Sequence, residues 1–495
     1  MKQLSRRAAL LGVGGAIGWG VTRSLTPALP DLRGVSLLGP VDDTLSLNDA
    51  SGLSQTPIAK HLTLRDDAGE ALITRLRQEL REARAAGRPV NVGAARHSMG
   101  GQAIPRQGTA ITFDNATVEL DSATGLYRTH AGTRWSQVIA ALDPLGWSPK
   151  IMQSNNDFGV AATFSVNAHG WPVPHGPMGA TVRSLRMMLP DGSVVTCSRD
   201  ENEALFGMAM GGYGLVGILL DLDVQATPNQ RLVPRFEEMP AGSFATAFQT
   251  AVLDPEVSMA YGRLNVERGR FFEDALLITY RATKDQDDLP AAPGSGWMAH
   301  VASRLYRAQL GNETMKSFRW WNETTLGPAL GGGETTRNSL INEPVATLDD
   351  RDPTRTDILH EYFIGFDQFG GFLQVCRDVI PASYQEFLNV TLRYVAQDDE
   401  SLLSYATVPR IAAVMSFSQE MSDRAEADMQ RMTQALIDGI TALGGSYYLP
   451  YRPHARLDQL TRAYPRAAEF AEAKRKLDPD LVLRNNLWDS YLGAL

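Results

Sequence analysis

The spacing of apolar side chains predicts a helix early in the chain. Five of them recur at helical spacing and share one face: Leu72, Ile73, Leu76, Leu80 and Ala83. Asp67 followed by Glu70 has the form of a capping box, so we expect the helix to begin at Asp67. Gly87 comes directly after the apolar pattern and is expected to end the helix.

Short apolar runs between glycine-rich turns predict strands over residues 90–92, 110–113, 184–189, 193–197 and 217–224. Between them, residues 136–142 and 201–210 have helical patterns. Gly212, Gly214 and Gly217 match the spacing of a dinucleotide-binding loop. Here a helix precedes the glycines and a strand follows, the reverse of the order that a Rossmann site needs, so we exclude that site.

Beyond residue 230 the elements become longer and more widely spaced, which indicates a second domain. Residues 361–363 and 389–393 predict strands, and residues 422–443 predict a charged helix. Because alternate side chains of a strand face the same way, Thr391 and Arg393 share a face. The whole pattern predicts an α+β fold, and 495 residues suffice for two or three cores that can each enclose a ligand.

Charge and cysteine content exclude several classes of protein. The net charge of -9 comes from interspersed acidic and basic residues, without the basic stripe that nucleic-acid binding needs. The two cysteines, Cys197 and Cys376, exclude a disulfide framework and leave a single bridge open. The eight histidines form no HxxxH or HxH pair, so we predict no metal site.

The N-terminus has the form of a twin-arginine export signal. Ser5, Arg6 and Arg7 precede a small-residue, mildly apolar run, and we interpret residues 1–30 as the signal and residues 31–52 as a linker. No clean Ala-x-Ala cleavage site follows, and no other segment has the apolar length of a membrane span. We therefore expect a periplasmic or otherwise exported protein without an integral span in its mature form, anchored only if the signal is uncleaved.

Two segments of small side chains have the form of ligand-binding loops. Residues 89–102 run from a buried strand into a loop whose backbone N–H groups could cradle a pyrophosphate, with His97 beside the ligand. Residues 155–170 are dense in small and hydroxyl side chains and lack regular periodicity, as in a loop that lies against a flat ligand. Taken alone, a histidine in such a loop is more often a hydrogen-bonding or solvent-exposed residue than a cofactor tether.

In order along the chain, these segments resemble the FAD-binding domain of the vanillyl-alcohol-oxidase and p-cresol-methylhydroxylase (PCMH) superfamily. His97-Ser98 with Gln102 resembles a stretch of cytokinin dehydrogenases and of alditol and sugar-lactone oxidases in which this histidine carries a covalent flavin. His169-Gly170, residues 191–218, Arg452-Pro453-His454 and residues 474–479 resemble later flavin segments. Two positions depart from the pattern: Ala161-Ala162 replaces paired glycines, and Arg96 stands where glycine is common.

The resemblance implies an FAD domain of two α+β subdomains over residues 53–229. It also implies a substrate domain with an antiparallel sheet flanked by helices over residues 230–450, and a returning segment over residues 451–495. FAD would be the cofactor, attached through His97. The implied cofactor-binding residues are Ala94, Ala95, Arg96, His97, Ser98, Gln102, Ser154, Gly159, Ala162, Thr163, Val166, Asn167, Ala168, His169, Gly217, Ile218 and His454.

An FAD-dependent oxidoreductase is the function implied, taking hydride from a C–H bond alpha to a hydroxyl, or less readily an amine, of a small organic substrate. Glu361 is the candidate base or orienting group and Arg393 the candidate cation that stabilises negative charge. A surface carboxylate and a structural salt bridge are their alternatives. Oxygen or a periplasmic carrier would accept the electrons; a nicotinamide-dependent reductase and a non-catalytic flavin-binding module remain alternatives.

Thr391 and Leu457 stand where the alditol oxidases have a glutamate and a lysine, so we do not expect a simple alditol as substrate.

Overall fold

The computed structural model describes residues 45–293, 303–331, 333–345 and 352–495. The predicted export signal and residues 31–44 of the predicted linker lie outside these ranges. Residues 45–52 differ from a linker, because they pack onto the fold. Strand β1 (Ser46–Leu47) pairs with β2 (Thr56–Pro57), and the amide of Ala50 donates to the carbonyl of Arg96 at 3.0 Å.

Besides the β1–β2 pair, the described part of the first domain contains two larger sheets. In the smaller one, β5 (Thr109–Phe113) lies between β3 (Lys60–Leu64) and β4 (Val90–Val92), and all three strands are parallel. The larger sheet is antiparallel and has the order β10-β9-β11-β7-β6, with β8 paired to β11. Its strands are β6 (Val118–Asp121), β7 (Leu126–His130), β8 (Trp147–Pro149), β9 (Val182–Met188), β10 (Val194–Ser198) and β11 (Ile218–Pro228).

Helices cover these two sheets. They are α1 (Glu70–Ala85), α2 (Trp135–Leu142), α3 (Val160–Ser165) and α4 (Glu203–Ala209). All five apolar residues predicted for the face of α1 are buried. The predicted capping box is wrong, since α1 begins at Glu70 after Gly69, and the carboxylate of Asp67 instead accepts from the Asn115 amide at 2.9 Å.

An eight-stranded antiparallel sheet forms the second domain, in the order β15-β12-β14-β13-β17-β18-β16-β19. Its strands are β12 (Arg231–Pro240), β13 (Val257–Leu264), β14 (Asp274–Ala282), β15 (Thr335–Thr336), β16 (Arg355–Ile364), β17 (Glu386–Val395), β18 (Arg410–Glu420) and β19 (Ser446–Tyr447). The flanking helices are α5 (Phe244–Leu253), α6 (Glu313–Trp321), α7 (Gly327–Gly331), α8 (Arg337–Ile341), α9 (Phe369–Val379) and α10 (Asp423–Ala442). The predicted α+β class, with an antiparallel sheet in the second domain, is confirmed.

After the second sheet, the chain returns to the first domain through α11 (Leu457–Ala463), α12 (Ala467–Leu477) and α13 (Asn486–Ser490). Leu483 forms a parallel bridge to Val90 of β4, and the Asn485 amide donates to the carbonyl of Tyr213 at 2.9 Å. These contacts join the end of the chain to the strands and loops of the first domain.

Both cysteines are buried and free, so they form no disulfide. Within the described ranges, no helix is both long and apolar enough to cross a membrane.

Candidate active site

A cleft of about 1550 Å³, open solvent at its mouth included, lies between the two domains. One wall consists of three loops of the first domain, around residues 92–103, 153–169 and 213–219. The opposite wall consists of strands β16, β17 and β18 with residues 448–451.

The first loop follows β4 and approaches the second loop closely. A Cβ on Gly159 would lie 2.9 Å from the Cβ of Ala94, so glycine at this position lets the two loops meet. The small side chains of Ala94, Ala95 and Ala162 expose backbone to the cleft. A ligand can therefore approach the main chain on this wall.

Arg96 places a cation in this loop. It has a φ of 54°, and its Nη2 donates to the Thr112 hydroxyl at 3.1 Å. Burial lowers its pKa from the usual arginine value. Its Nε is buried without a partner, and no carboxylate of the described residues lies within salt-bridge distance. An anionic ligand would supply the missing counter-charge.

His97 lies on the same wall, packed against the second loop. Its ring centroid is 4.3 Å from that of Phe158, with an interplanar angle of 31°. Its Nε2 is 3.7 Å from Oδ2 of Asp157, and its side chain is 21% exposed. The imidazole is thus held in place yet open to the cleft.

The second loop is more regular than its sequence indicated. Residues 155–170 were expected to lack regular structure, but residues 160–165 form α3. The Thr163 hydroxyl accepts from the Trp135 indole at 3.1 Å and donates to the Val160 carbonyl at 2.8 Å. Small residues that resemble an irregular loop therefore form one helical turn that packs on α2.

Glu361 lies in the opposite wall and is 4% exposed, so the alternative of a surface carboxylate is wrong. Its Oε1 makes a short hydrogen bond with Nε2 of His169, and its Oε2 accepts from the Tyr451 hydroxyl at 3.2 Å. Burial and, after it, the negative charge of Glu361 raise the pKa of Tyr451 well above its usual value. The hydroxyl therefore stays protonated and donates.

Arg393 also faces the cleft, from β17. Its Nη2 donates to the Ser154 hydroxyl at 2.9 Å, and its Nε is buried without a partner. Burial lowers the pKa of Arg393, while the nearby charge of Glu361 opposes the shift. Among the described residues no carboxylate pairs with Arg393 within 4 Å, which removes the alternative of a structural salt bridge there.

Four buried polar atoms without partners lie on described residues that line this cleft. Arg96 Nε, Gln153 Oε1, His169 Nδ1 and Arg393 Nε all belong to cleft-lining residues. Buried polar atoms are normally hydrogen-bonded, and each exception needs an explanation. A polar ligand in the cleft provides it.

The structure brings most of the residues predicted from the sequence to this one cleft. They are Ala94, Ala95, Arg96, His97, Ser98, Gln102, Ser154, Gly159, Ala162, Thr163, Val166, Ala168, His169, Gly217 and Ile218, with Glu361 and Arg393.

Two predicted cofactor residues, Asn167 and His454, do not line the cleft. The Asn167 amide donates to the Asp398 carboxylate at 3.0 Å, and its oxygen accepts from the Gly179 amide at 3.0 Å. Nε2 of His454 contacts Glu426 at 2.9 Å on α10. Both side chains are instead part of buried hydrogen-bond networks that hold the fold together.

Sequence reasoning missed an aromatic part of the site. Phe158, Tyr213, Tyr448 and Tyr451 line the cleft, and the Tyr448 hydroxyl donates to the Val166 carbonyl at 2.8 Å. A run of three tyrosines over residues 447–451 directly precedes the Arg-Pro-His segment and was the available indication.

Comparison with known proteins bears on the first domain. Residues 73–198 match the FAD binding domain family. A D-arabinono-1,4-lactone oxidase of Yarrowia lipolytica is 32% identical over 108 residues, which are 21% of this chain and 20% of that protein. Cytokinin dehydrogenase 9 of Oryza sativa subsp. japonica is 27% identical over 142 residues, 28% of this chain and 27% of that protein.

An alditol oxidase of Streptomyces sp. is 29% identical over 139 residues, 28% of this chain and 33% of that protein. In each case the chain covers a third or less of the relative's length. The family match includes two loops of the first wall, around residues 92–103 and 153–169, and the third loop lies outside it, as do all residues beyond 198. The chain thus carries an FAD-binding domain, and in this domain it is similar to FAD-linked oxidoreductases of the PCMH type.

Proposed function

We propose that this protein oxidises a small organic substrate by taking hydride from a C–H bond alpha to a hydroxyl group. The observation that carries this proposal is the shared cleft. Loops of an FAD-binding domain form one wall, and the buried pair Glu361 and Arg393 lies in the other. A substrate between the walls would contact both.

The residues of the first wall fit FAD. Exposed backbone around Ala94 and Ala95 would meet the pyrophosphate, and Arg96 would neutralise part of its charge. His97, Ala162 and Val166 would line the flavin. When bound, FAD supplies the hydride-accepting chemistry that no side chain has.

The second wall would prepare the substrate. Glu361 would accept a hydrogen bond from the substrate hydroxyl and take its proton, while His169 and Tyr451 hold the carboxylate in position. Arg393 would stabilise the negative charge that develops on the substrate oxygen. A buried guanidinium repels an ammonium group, which favours a hydroxyl over an amine as the donor.

The names of the relatives agree with a hydroxylated substrate, since they include a sugar-lactone oxidase and an alditol oxidase. A simple alditol is not expected here. Thr391 offers only a hydroxyl, and Leu457 and Arg456 do not line the cleft; Arg456 instead pairs with Asp438 at 3.1 Å. Oxygen or a periplasmic carrier would accept the electrons, and the proposed location is the periplasm or another exported site.

We also propose that FAD is attached covalently through His97, which is open to the cleft and held by Phe158 and Asp157. The test is a denaturing gel viewed for flavin fluorescence. The parent and a His175→Ala control should give a fluorescent band, and His97→Ala should give none. A dark parent band contradicts covalent attachment without contradicting FAD binding.

The oxidation itself is tested by anaerobic incubation of the flavin-loaded protein with a panel of primary and secondary alcohols. At least one of them should bleach the visible absorption of the flavin, and an acceptor dye should restore it. If no compound bleaches a flavin that dithionite reduces, the non-catalytic flavin-binding module is the better interpretation.

A further inference from the structure

A second cavity lies in the substrate domain, beneath α6. It measures about 760 Å³ with its open mouth included, and none of its lining residues belongs to the first cleft. Its charged groups are Arg263, Arg319 and Glu323, Asn389 is among its neutral polar groups, and its apolar groups include Met315 and Phe318. The cavity thus combines charged and apolar side chains in its lining.

The large sheet connects this cavity with the first cleft. Arg263 of β13 is paired with Thr391 of β17, Thr391 with Val414 of β18, and Val414 with Glu361 of β16. Directly paired residues of antiparallel strands project from the same face. Adjacent strands are about 4.8 Å apart, so Arg263 and Glu361 stand about 14 Å apart at the two ends of one row.

The charges of the second cavity do not balance. Glu323 binds Nε of Arg319 at 2.8 Å, which leaves Arg263 without a carboxylate within 4 Å among the described residues. Nη1 of Arg263 donates only to neutral oxygens, those of Asn389 and Thr391, each at 2.8 Å. Burial acts to lower the pKa of Arg263, yet the nearby Glu323 and tyrosines hold this pKa above the usual arginine value.

Arg319 is not available to bind an anionic ligand, because its nitrogens already donate to other groups of the protein. Besides Glu323, they donate to the Leu388 carbonyl at 2.8 Å and to the Asn389 amide oxygen at 2.9 Å. Arg263 is therefore the cation with charge to spare, in a cavity large enough for a ligand group. A guanidinium in such surroundings binds a carboxylate strongly and directionally.

We propose that the second cavity binds the carboxylate of the substrate, so that the substrate is a hydroxy acid whose acid group lies about 10–14 Å from the oxidised carbon. This inference rests on the proposed function for the end of the substrate at Glu361. Thr391 determines the specificity, because its hydroxyl bonds to Arg263 without neutralising it. A glutamate at position 391 would neutralise the charge of Arg263.

The test measures binding to the flavin-loaded enzyme by titration calorimetry. The probes are ω-hydroxydodecanoate, its methyl ester, and dodecanoate. We expect the hydroxy acid to bind at least about tenfold tighter than the ester, as a charge-assisted hydrogen bond would give. Arg263→Gln should reduce this ratio to about one, whereas Arg235→Gln, an exposed arginine on β12 of the same sheet, should leave it unchanged.

Thr391→Glu provides a second variant that retains Arg263. It should also abolish the preference for the acid, because the new carboxylate occupies the guanidinium. The proposal is overturned if the parent binds the hydroxy acid and the ester equally well. It is also overturned if either variant keeps the parental preference for the acid while its melting temperature shows that it is folded like the parent. If dodecanoate binds as tightly as the hydroxy acid and does not compete with it, the carboxylate comes from a separate ligand and the assignment to the substrate is wrong.

Failure of the proposed oxidation gives a different result from failure of this inference. In that case the hydroxy acid shows the Arg263-dependent preference, yet neither it nor any alcohol of the panel bleaches the flavin.

Discussion

Replacing Glu361 with glutamine tests the centre of the proposed mechanism. The side chain keeps its length and shape and loses its negative charge and its ability to take a proton. The carboxylate is 4% exposed and is held by His169 and by the Tyr451 hydroxyl at 3.2 Å. The amide oxygen of glutamine can still accept from one of these donors, so we expect the fold to survive with a loss of about 1–3 kcal/mol in stability.

The expected effect on the rate is much larger. A positioned general base contributes about 10²- to 10⁴-fold, which corresponds to about 3–5 kcal/mol of activation free energy. We therefore expect Glu361→Gln to slow flavin reduction by at least about 100-fold, measured by anaerobic stopped-flow absorbance with the best alcohol of the panel. The substrate concentration at half-maximal rate should change far less, because Arg393 and Ser154 remain in place.

A matched control separates this effect from the loss of any glutamate. Glu237 lies on β12 of the same sheet with a side chain that is 52% exposed, and Glu237→Gln should reduce the flavin at the parental rate. Flavin absorption per protein must be equal in all three proteins. If Glu361→Gln reduces its flavin within about tenfold of the parent, Glu361 only orients the substrate and the assignment as base is refuted.

Three further changes have defined outcomes. Arg96→Met should weaken rebinding of FAD to the His97→Ala protein by roughly 10- to 100-fold, from the loss of a charge-assisted contact; unchanged affinity in a fluorescence titration would show that Arg96 does not touch the phosphates. Gly170→Ala should cost about 1–3 kcal/mol and lower the melting temperature, because a main-chain oxygen lies 1.9 Å from the site of its Cβ. Although burial opposes it, the hydrogen bond from His454 and the charge of Arg452 hold the pKa of Glu426 far below its usual range. This group therefore stabilises the fold above the unfolded pKa of about 4.3, and the contribution is lost as pH falls through the folded value. Glu426→Gln should lower stability at neutral pH and make it less dependent on pH in acid, as measured by urea unfolding.

The sequence predicted correctly those elements that are determined by residues close together in the chain. The apolar face of α1, and the helix before and the strand after the glycines at 212–217, follow from periodicity and turn residues within a few positions. The start of α1 was predicted three residues too early, because the Asp67 carboxylate has a competing partner in Asn115, which lies 48 residues away. A sequence window does not contain that partner.

The two misplaced site residues have the same explanation. His454 belongs to a motif that resembles a flavin segment, but Glu426 and Thr433 on α10 hold its imidazole away from the cleft. The side chains that do reach the cleft from this part of the chain belong to Tyr448, Pro450 and Tyr451. Which residues of a short aromatic run point inward depends on how the returning segment docks, and that depends on packing between domains.

The cleft divides recognition between two parts of the chain with different constraints. The wall that would hold FAD uses small side chains and backbone, and most of it lies inside the matched residues 73–198. The groups that we assign to the substrate are Glu361 and Arg393, with Arg263 and Thr391 beyond them, and all four come from the sheet outside that match. Substitutions on this sheet can change a counter-charge, as a glutamate at position 391 would, without disturbing the loops of the other wall. Similarity in the FAD-binding domain therefore indicates the cofactor, whereas the substrate has to be inferred from the charges along the row between Glu361 and Arg263.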